Sequence, residues 1–408
     1  MMQTAPVEDW TIDFDVLDQR YLEDPFSIWD ALRGTCPIAH TNRRVSSWLP
    51  TRYEDVTAIA HDIEHFSSLK VAVIPGAEGD EFEDENPDPN GPNLEYGLPP
   101  ISADPPLHTW TRRLLLPWFS HRRVDGYVPM TRELCRGLLD SFAKGGHADA
   151  ATDYAQQIPV RVIAHILGVS TEMSDDFTLW VREILEFADD PERRQHGAMA
   201  LFEYFVTQLE YRRNNPGEDL LSELLNTEIE GKPLEESIIL GIAALVLIAG
   251  VDTTWSAIGS SLWHLSTHPD DRKRLVAEPE LMPTAIEELL RAYSPVTMAR
   301  VVTGDVDYKG CPMKEGDKVL MNFPGANRDP EAFDHPEEVQ LDRAHNRHVA
   351  FGSGIHRCAG SNLARMELQV ALEEWLLRIP EFSLEEGRDI LWAGGQVRGP
   401  RILPVVFP

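Results

Sequence analysis

The longest apolar run in the chain, "IILGIAALVLIAGV" from Ile238 to Val251, is followed at once by Asp252. A segment that is apolar on every side needs cover on every side. The run is shorter than a bilayer span, which makes it the middle of a buried helix rather than a membrane anchor. Much of the chain around it also has helical spacing. "MTRELCRGLLDSFAKGG", "DDFTLWVREILEFA" and "MALFEYFVTQLEYRRN" place apolar residues on one helical face, and the first ends on a Gly-Gly stop. Strand-like runs are short: "SSWLPT", "DKVLMNF" and "ILPVVF". The fold class expected is mainly α with small β-sheets.

Composition narrows the function. The 408 residues are 42% hydrophobic and 25% charged, a globular balance. Thirty-seven Lys and Arg stand against 67 Asp and Glu, for a formal net charge of -30. Such a chain is a poor partner for nucleic acid or anionic membrane. Cys36, Cys135, Cys311 and Cys358 show neither a CxxC nor a regular spacing, so neither a zinc framework nor a disulfide scaffold is expected. The N-terminus "MMQTAPVEDWTIDFDV" has no apolar core and does not read as a signal peptide. A cytoplasmic protein with free thiols is expected. Pro75 to Pro106 reads as a long loop, acidic in its first half, with "LEYGLPPI" as a candidate binding segment.

Four stretches carry chemistry. In "AFGSGIHRCAGSNLARMEL", Cys358 follows a turn made tight by Gly352 and Gly354 and precedes a helix. A lone cysteine is ordinarily a small buried residue. At a helix start, the unpaired N–H groups favour a thiolate, able to ligate a metal or act as a nucleophile. In "AGVDTT", Ala249 and Gly250 clear bulk beside the apolar helix. Asp252 and Thr253 bring an acid and a hydroxyl, as a proton-delivering pocket needs. The same residues also suit a helix surfacing from the core at Asp252. In "EELLR", Glu288 and Arg291 lie at i and i+3, the spacing of an ordinary surface ion pair. In "HTWTR", His108 and Arg112, at i and i+4, either share one anion or form a solvated face.

Taken together, "ADPPLHTWTR", "AGVDTT", "EELLR", "LDRAHNRHVAFGSGIHRCAG" and the closing "GPRILPVVF" resemble the cytochrome P-450 superfamily of haem-thiolate monooxygenases. The cysteine loop matches the family pattern at Phe351, Gly352, Gly354, His356, Cys358 and Gly360. The detail is similar to bacterial members whose haem domain is often fused to a flavin and iron–sulfur reductase. Here one haem domain over residues 1–408 is expected, with no fused reductase.

The resemblance implies haem b between the long helix and the helix after the cysteine loop, with Cys358 as axial thiolate and dioxygen as co-substrate. A thiolate pushes electron density onto iron and favours O–O cleavage. Asp252 and Thr253 would relay protons, and Ala249 and Gly250 would border the oxygen. His108, Arg112, Arg300 and His356 would hold the propionates, with Phe351 and Gly360 also lining the haem. Glu288, Arg291 and Arg343 would form a structural cluster. Substrate contacts are expected from Tyr96, Leu98, Ile101, Leu245, Ile248, Val296, Thr297, Gln396 and Val397, a mostly apolar set suited to a small apolar, possibly aromatic, molecule. Ordinary core packing fits the same residues. Electrons would come from a ferredoxin and its reductase, docking on basic residues among Arg122, Arg123, Arg343, Arg347, His348, Arg357 and Arg365. A peroxide-using enzyme is the alternative, but relatives of that kind often lose the acid–alcohol pair. A haem sensor or carrier would need neither that pair nor a substrate loop.

Overall fold

In the computed structural model, which describes residues 5–73, 97–187 and 190–408, the apolar run lies inside one helix of 32 residues, Glu236–Thr267. It has no internal proline and stops at His268, just before Pro269, where the proline ring disfavours a helical predecessor. It is long and apolar enough to cross a bilayer, but 78% of its most apolar window is buried inside the protein.

The helices that enclose it and place the site are α1 (Leu107–Leu115), α2 (Val128–Phe142), α3 (Gln157–Leu167), α4 (Ser174–Glu186), α5 (Pro191–Asn214), the long helix itself as α6, α7 (Met282–Ala292) and α8 (Ser361–Arg378). Helices α3, α4, α5 and α8 all pack on α6, and α8 also packs on α2 and α7. The three helical stretches read from apolar spacing are α2, α4 and α5. One large apolar core runs through this bundle and includes Ile163, Phe205, Leu247, Ile258, Leu372 and Trp375.

A smaller layer is a five-stranded sheet of β1 (Ile38–Thr41), β2 (Ser47–Pro50), β3 (Phe66–Ser67), β4 (Met298–Val302) and β5 (Lys318–Met321), in the order β1-β2-β5-β4-β3. Strand β5 is parallel to β2 and antiparallel to β4, with Val319 opposite Arg300. The strand expected over Ile402–Phe407 is broken at Leu403. Ile402 ends a strand that begins earlier, Gly399–Ile402 (β7), which pairs with Leu391–Ala393 (β6) and lies against α6; Pro404–Val406 joins another small sheet. That path brings Arg401, far away in sequence, beside Asp252.

Gly250 has a packing role as well. A Cβ there would lie 2.5 Å from Ile163 Cδ1, so the missing side chain serves the close approach of α3 to α6. Most of the open surface on that stretch belongs to its neighbour Ala249.

Candidate active site

The cysteine loop is built by its backbone. Gly352 and Gly354 have φ of +72° and +71°, which side chains rarely tolerate, and a Cβ on Gly354 would strike the Ala60 carbonyl. The turn closes when the Cys358 N–H donates to the Phe351 carbonyl at 2.8 Å. Helix α8 begins at Ser361, so Cys358 stands just ahead of it, as the sequence suggested. Burial pushes the Cys358 thiol up, while the Gly360 N–H and the charges of Arg112, Arg357 and Arg365 pull it back toward the thiolate. The residue is nonetheless exposed by area. A group both desolvated and exposed faces an enclosed space.

The same holds on α6. Ile238 to Ile248 are all buried, Ala249 is exposed, and Gly250 and Thr253 are partly so. Surface opening midway along a buried helix borders an internal pocket.

Cationic and donor groups converge near this region. His108 and His356 have ring centroids 4.3 Å apart, and among the described residues neither nitrogen of His108 nor Nε2 of His356 has a hydrogen-bond partner, although all are buried. The Ile355 backbone lies close enough to His108 to favour its charged form, but outside hydrogen-bonding geometry. His356 is pushed down to about 2 by burial, then by the charges of Arg300, His108 and Arg112. Burial pulls Arg300 down to about 10. Among the described residues its Nη1 reaches only the neighbouring Ala299 carbonyl, at 2.8 Å, while Arg112 donates to the Arg357 carbonyl. Orphaned buried donors are costly without an acceptor. A group bearing two carboxylates, as haem does, satisfies this set, and Cys358 offers it a thiolate. The residues present therefore fit haem.

Asp252 and Thr253 are side by side on α6. Thr253 Oγ1 donates to the Ala249 carbonyl at 2.7 Å, leaving its lone pairs free to accept. Asp252 is 1% exposed. Its Oδ1 accepts from Arg401 Nη2 at 2.6 Å, while Oδ2 is buried without a partner. Burial pushes this carboxyl up, Arg401 pulls it down and Glu186 pushes it up again, to about 6. Arg401 also donates to Ser256 Oγ at 2.9 Å and pairs with Glu186, which in turn holds Arg182 at 2.9 Å. This line runs outward from Asp252 to a residue 36% exposed. So the carboxylate beside the apolar run is a buried, paired acid, not the point where the helix surfaces.

Glu288 and Arg291 are both 0% exposed, so the surface-pair reading of these two fails. Arg291 grips both oxygens of Glu288 at 2.8 Å, and Arg343 Nε approaches them at 2.9 and 3.0 Å. Arg291 also donates to the carbonyls of Asn327, Pro336 and Glu338.

Of the substrate candidates, Leu245 and Ile248 are buried on α6, four residues and one residue before Ala249. Val296 and Val397 form a β-bridge, and the Thr297 N–H donates to the Gln396 carbonyl at 3.0 Å, so these four form one group. Leu98 and Ile101 are half-buried, in a segment that reaches α6 where Gly97 abuts Gly241. Tyr96 lies outside the described residues.

Sequence reasoning missed Arg401, Glu186 and Glu287. Glu287 binds both His348, at 2.9 Å, and Arg365, at 2.6 and 2.7 Å. With Arg343 held by Glu288, three of the basic residues expected to face a partner are therefore spoken for. The doubled acid in "EELLR" was the one signal for Glu287; nothing local in "GPRILP" points to Asp252.

Comparison with known proteins agrees with this geometry. The family model described as Cytochrome P450 matches residues 193–391. The chain is 35% identical over 354 residues to a probable cytochrome P450 127A1 of Sinorhizobium fredii, covering 86% of this chain and 81% of that one. It is 35% identical over 405 residues to a vitamin D(3) 25-hydroxylase of Pseudonocardia autotrophica, covering 96% of each. The crystal structure of CYP101J2 superposes with a TM-score of 0.85 at 27% identity, covering all of both chains.

Proposed function

The chain belongs to the cytochrome P450 family and is a monooxygenase; from that premise we propose that it oxidises a small, largely apolar molecule, with Cys358 as haem ligand and Asp252 and Thr253 as its proton relay. The observation that carries this reading is the pair of buried histidines, His108 and His356, with unpartnered nitrogens beside Arg112 and Arg300, near a desolvated yet exposed cysteine.

His108, Arg112, Arg300 and His356 would hold the carboxylates of haem and Cys358 its iron. When bound, haem supplies the activation of dioxygen. The protein's own part is proton handling and exclusion of water. A carboxyl with a pKa near 6 gives up and retakes a proton around neutrality at little cost. Arg401 tethers one oxygen of Asp252, so the free Oδ2 carries the proton. Thr253, its own hydroxyl hydrogen engaged with Ala249, accepts a hydrogen bond from the species being protonated. Glu186 and Arg182 offer the route by which Asp252 is recharged from outside. Leu245, Ile248, Val296 and Val397 line the space with hydrocarbon, which favours an apolar substrate and discourages water. Electrons would come from a protein carrier. Arg122, Arg347 and Arg357 are exposed and without ion pairs among the described residues, a small basic face on a very acidic protein.

The test is spectroscopic. Reduced protein under carbon monoxide should give the strongly red-shifted Soret band of thiolate-ligated haem, and Cys358→His should abolish it. Retention of that band by Cys358→His would sink the ligand assignment. A panel of aromatic ethers, terpenes and fatty acids, screened by haem spin-state shift, then identifies the substrate class.

A further inference from the structure

Beyond the pocket, the far end of α6 carries a second arrangement of redox-competent groups. His264 is 0% exposed and bonded on both sides: Nδ1 lies 2.8 Å from the Tyr293 hydroxyl and Nε2 lies 2.9 Å from Asp271 Oδ2. Burial lowers the pKa of His264, so the ring is neutral and carries one N–H. The Asp271 carboxylate can only accept, which places that hydrogen on Nε2. Nδ1 is then a bare acceptor, and the Tyr293 hydroxyl must donate to it. The direction of both bonds is fixed by valence.

Aromatic rings extend from this phenol. Trp263 meets Tyr293 edge-on at 5.5 Å and 89°, and meets Trp392 edge-on at 5.4 Å and 82°. Trp392 is partly exposed and sits under the Arg398 guanidinium at 4.3 Å. At the other end, Tyr293 precedes Val296 by three residues, at most ~11 Å of chain. The line therefore runs from beside the candidate substrate space to the surface.

The geometry points to a redox-active tyrosine, wired to the surface by this line of rings: Tyr293 gives up one electron and, with it, its phenolic proton to His264. The step balances as phenol plus imidazole going to neutral phenoxyl radical plus imidazolium, with one electron passed to a one-electron metal-centred oxidant. An oxidised phenol is a strong acid, and a buried site cannot hold its positive charge unrelieved. His264 takes the proton at hydrogen-bond distance. Asp271, 28% exposed, stabilises the imidazolium and connects it to solvent. One electron from the enzyme's reductant restores the phenol and returns the proton. In the working enzyme the oxidant is the haem group at the pocket end, with the rings carrying the restoring electron in from the surface, and this clause alone rests on the function proposed above. A purely structural role, pinning the end of α6, requires the same hydrogen bonds but no base and no neighbouring indoles.

The test uses flash-generated tris(bipyridine)ruthenium(III) on the holoenzyme, made with ring-deuterated tyrosine, and freeze-quench electron paramagnetic resonance. This oxidant needs no haem chemistry, so the carbon monoxide spectrum judges the haem assignment separately. A neutral tyrosyl signal is expected, sensitive to the deuterium label and lost in Tyr293→Phe. His264→Gln keeps a hydrogen bond to each neighbour but supplies no base, and should slow radical formation by about a hundredfold. In the wild type, heavy water should slow it as well. No tyrosyl signal, a signal that survives Tyr293→Phe, or an unchanged rate in His264→Gln overturns the proposal. If His264→Gln fails to fold, a wild-type rate indifferent to heavy water does so.

Discussion

Replacing Arg401 by Met should turn Asp252 from a mostly ionised carboxylate into a protonated acid at neutral pH. Among the described residues, Arg401 is the one cation within hydrogen-bonding distance of this carboxyl, at 2.6 Å. With charge centres ~4 Å apart and an effective dielectric of ~20, the pair is worth ~4 kcal/mol. At 1.36 kcal/mol per unit, that is a rise of ~3 pKa units above the present value of about 6. The sign for stability follows from linkage. A carboxyl whose folded pKa lies above its unfolded one binds more protons when folded, so stability falls as pH rises through that window. In the wild type the window closes at about 6; in Arg401→Met it extends higher. The two stability curves should therefore diverge by ~2.3 kcal/mol between about pH 6 and about pH 8. Met also leaves Glu186 without Arg401, a cost that shifts the whole curve but adds little slope. Urea unfolding across this range measures the divergence. Repeating it in an Asp252→Asn background should erase the slope difference and leave the offset. Curves that stay parallel, with Asp252 present, would refute the coupling.

Thr253→Ala should keep substrate affinity while sending much of the consumed reducing power to hydrogen peroxide, measured as peroxide formed per NAD(P)H oxidised; full coupling would contradict the relay. Glu367 is 0% exposed on α8 with neither oxygen partnered, and burial pushes its carboxyl well up. Glu367→Met should therefore be neutral or stabilising in urea, by up to ~3 kcal/mol, and should remove a loss of stability that the wild type shows on going alkaline; marked destabilisation would mean the acid has a partner. Arg122→Glu and Arg347→Glu should slow the first electron transfer from a ferredoxin, more at low salt than high, without changing substrate affinity. Stopped-flow rates indifferent to both would exclude this face.

What could be read from the sequence was local. Cys358, its glycines and the following helix are contiguous, so spacing and turn chemistry sufficed. The apolar run gave α6 for the same reason. Glu288 and Arg291 were visible as a pair, but not as a buried one, because their cover comes from the carbonyls of residues 327–338. Arg401 was invisible. It reaches Asp252 only because β7 folds back along α6, and no period in the sequence encodes that approach. The basic face was overcounted for a related reason. Arg365 and His348 look free along the chain, and only the packing of α7 against α8 and its flanking loop delivers Glu287 to them.

The Arg291 cluster has a consequence for how this protein can vary. Arg291 and Arg343 hold the stretch from Asn327 to Glu338 by its carbonyl oxygens: Asn327, Pro336 and Glu338 from one side, Asp334, His335 and Glu338 from the other. Carbonyls are common to every residue type. The exposed side chains of Glu331, Asp334 and Glu337 can therefore drift in sequence while the path of the chain stays fixed, whereas His335, at φ +46°, is restricted to residues that tolerate a left-handed backbone. Selection on the surface, for charge or for a partner, is uncoupled from selection on the scaffold behind it. Much of the constraint falls on three buried side chains, Glu288, Arg291 and Arg343, while Asn327 and Asp329 add side-chain bonds to Val349, Ser294 and Tyr53 at the start of the stretch.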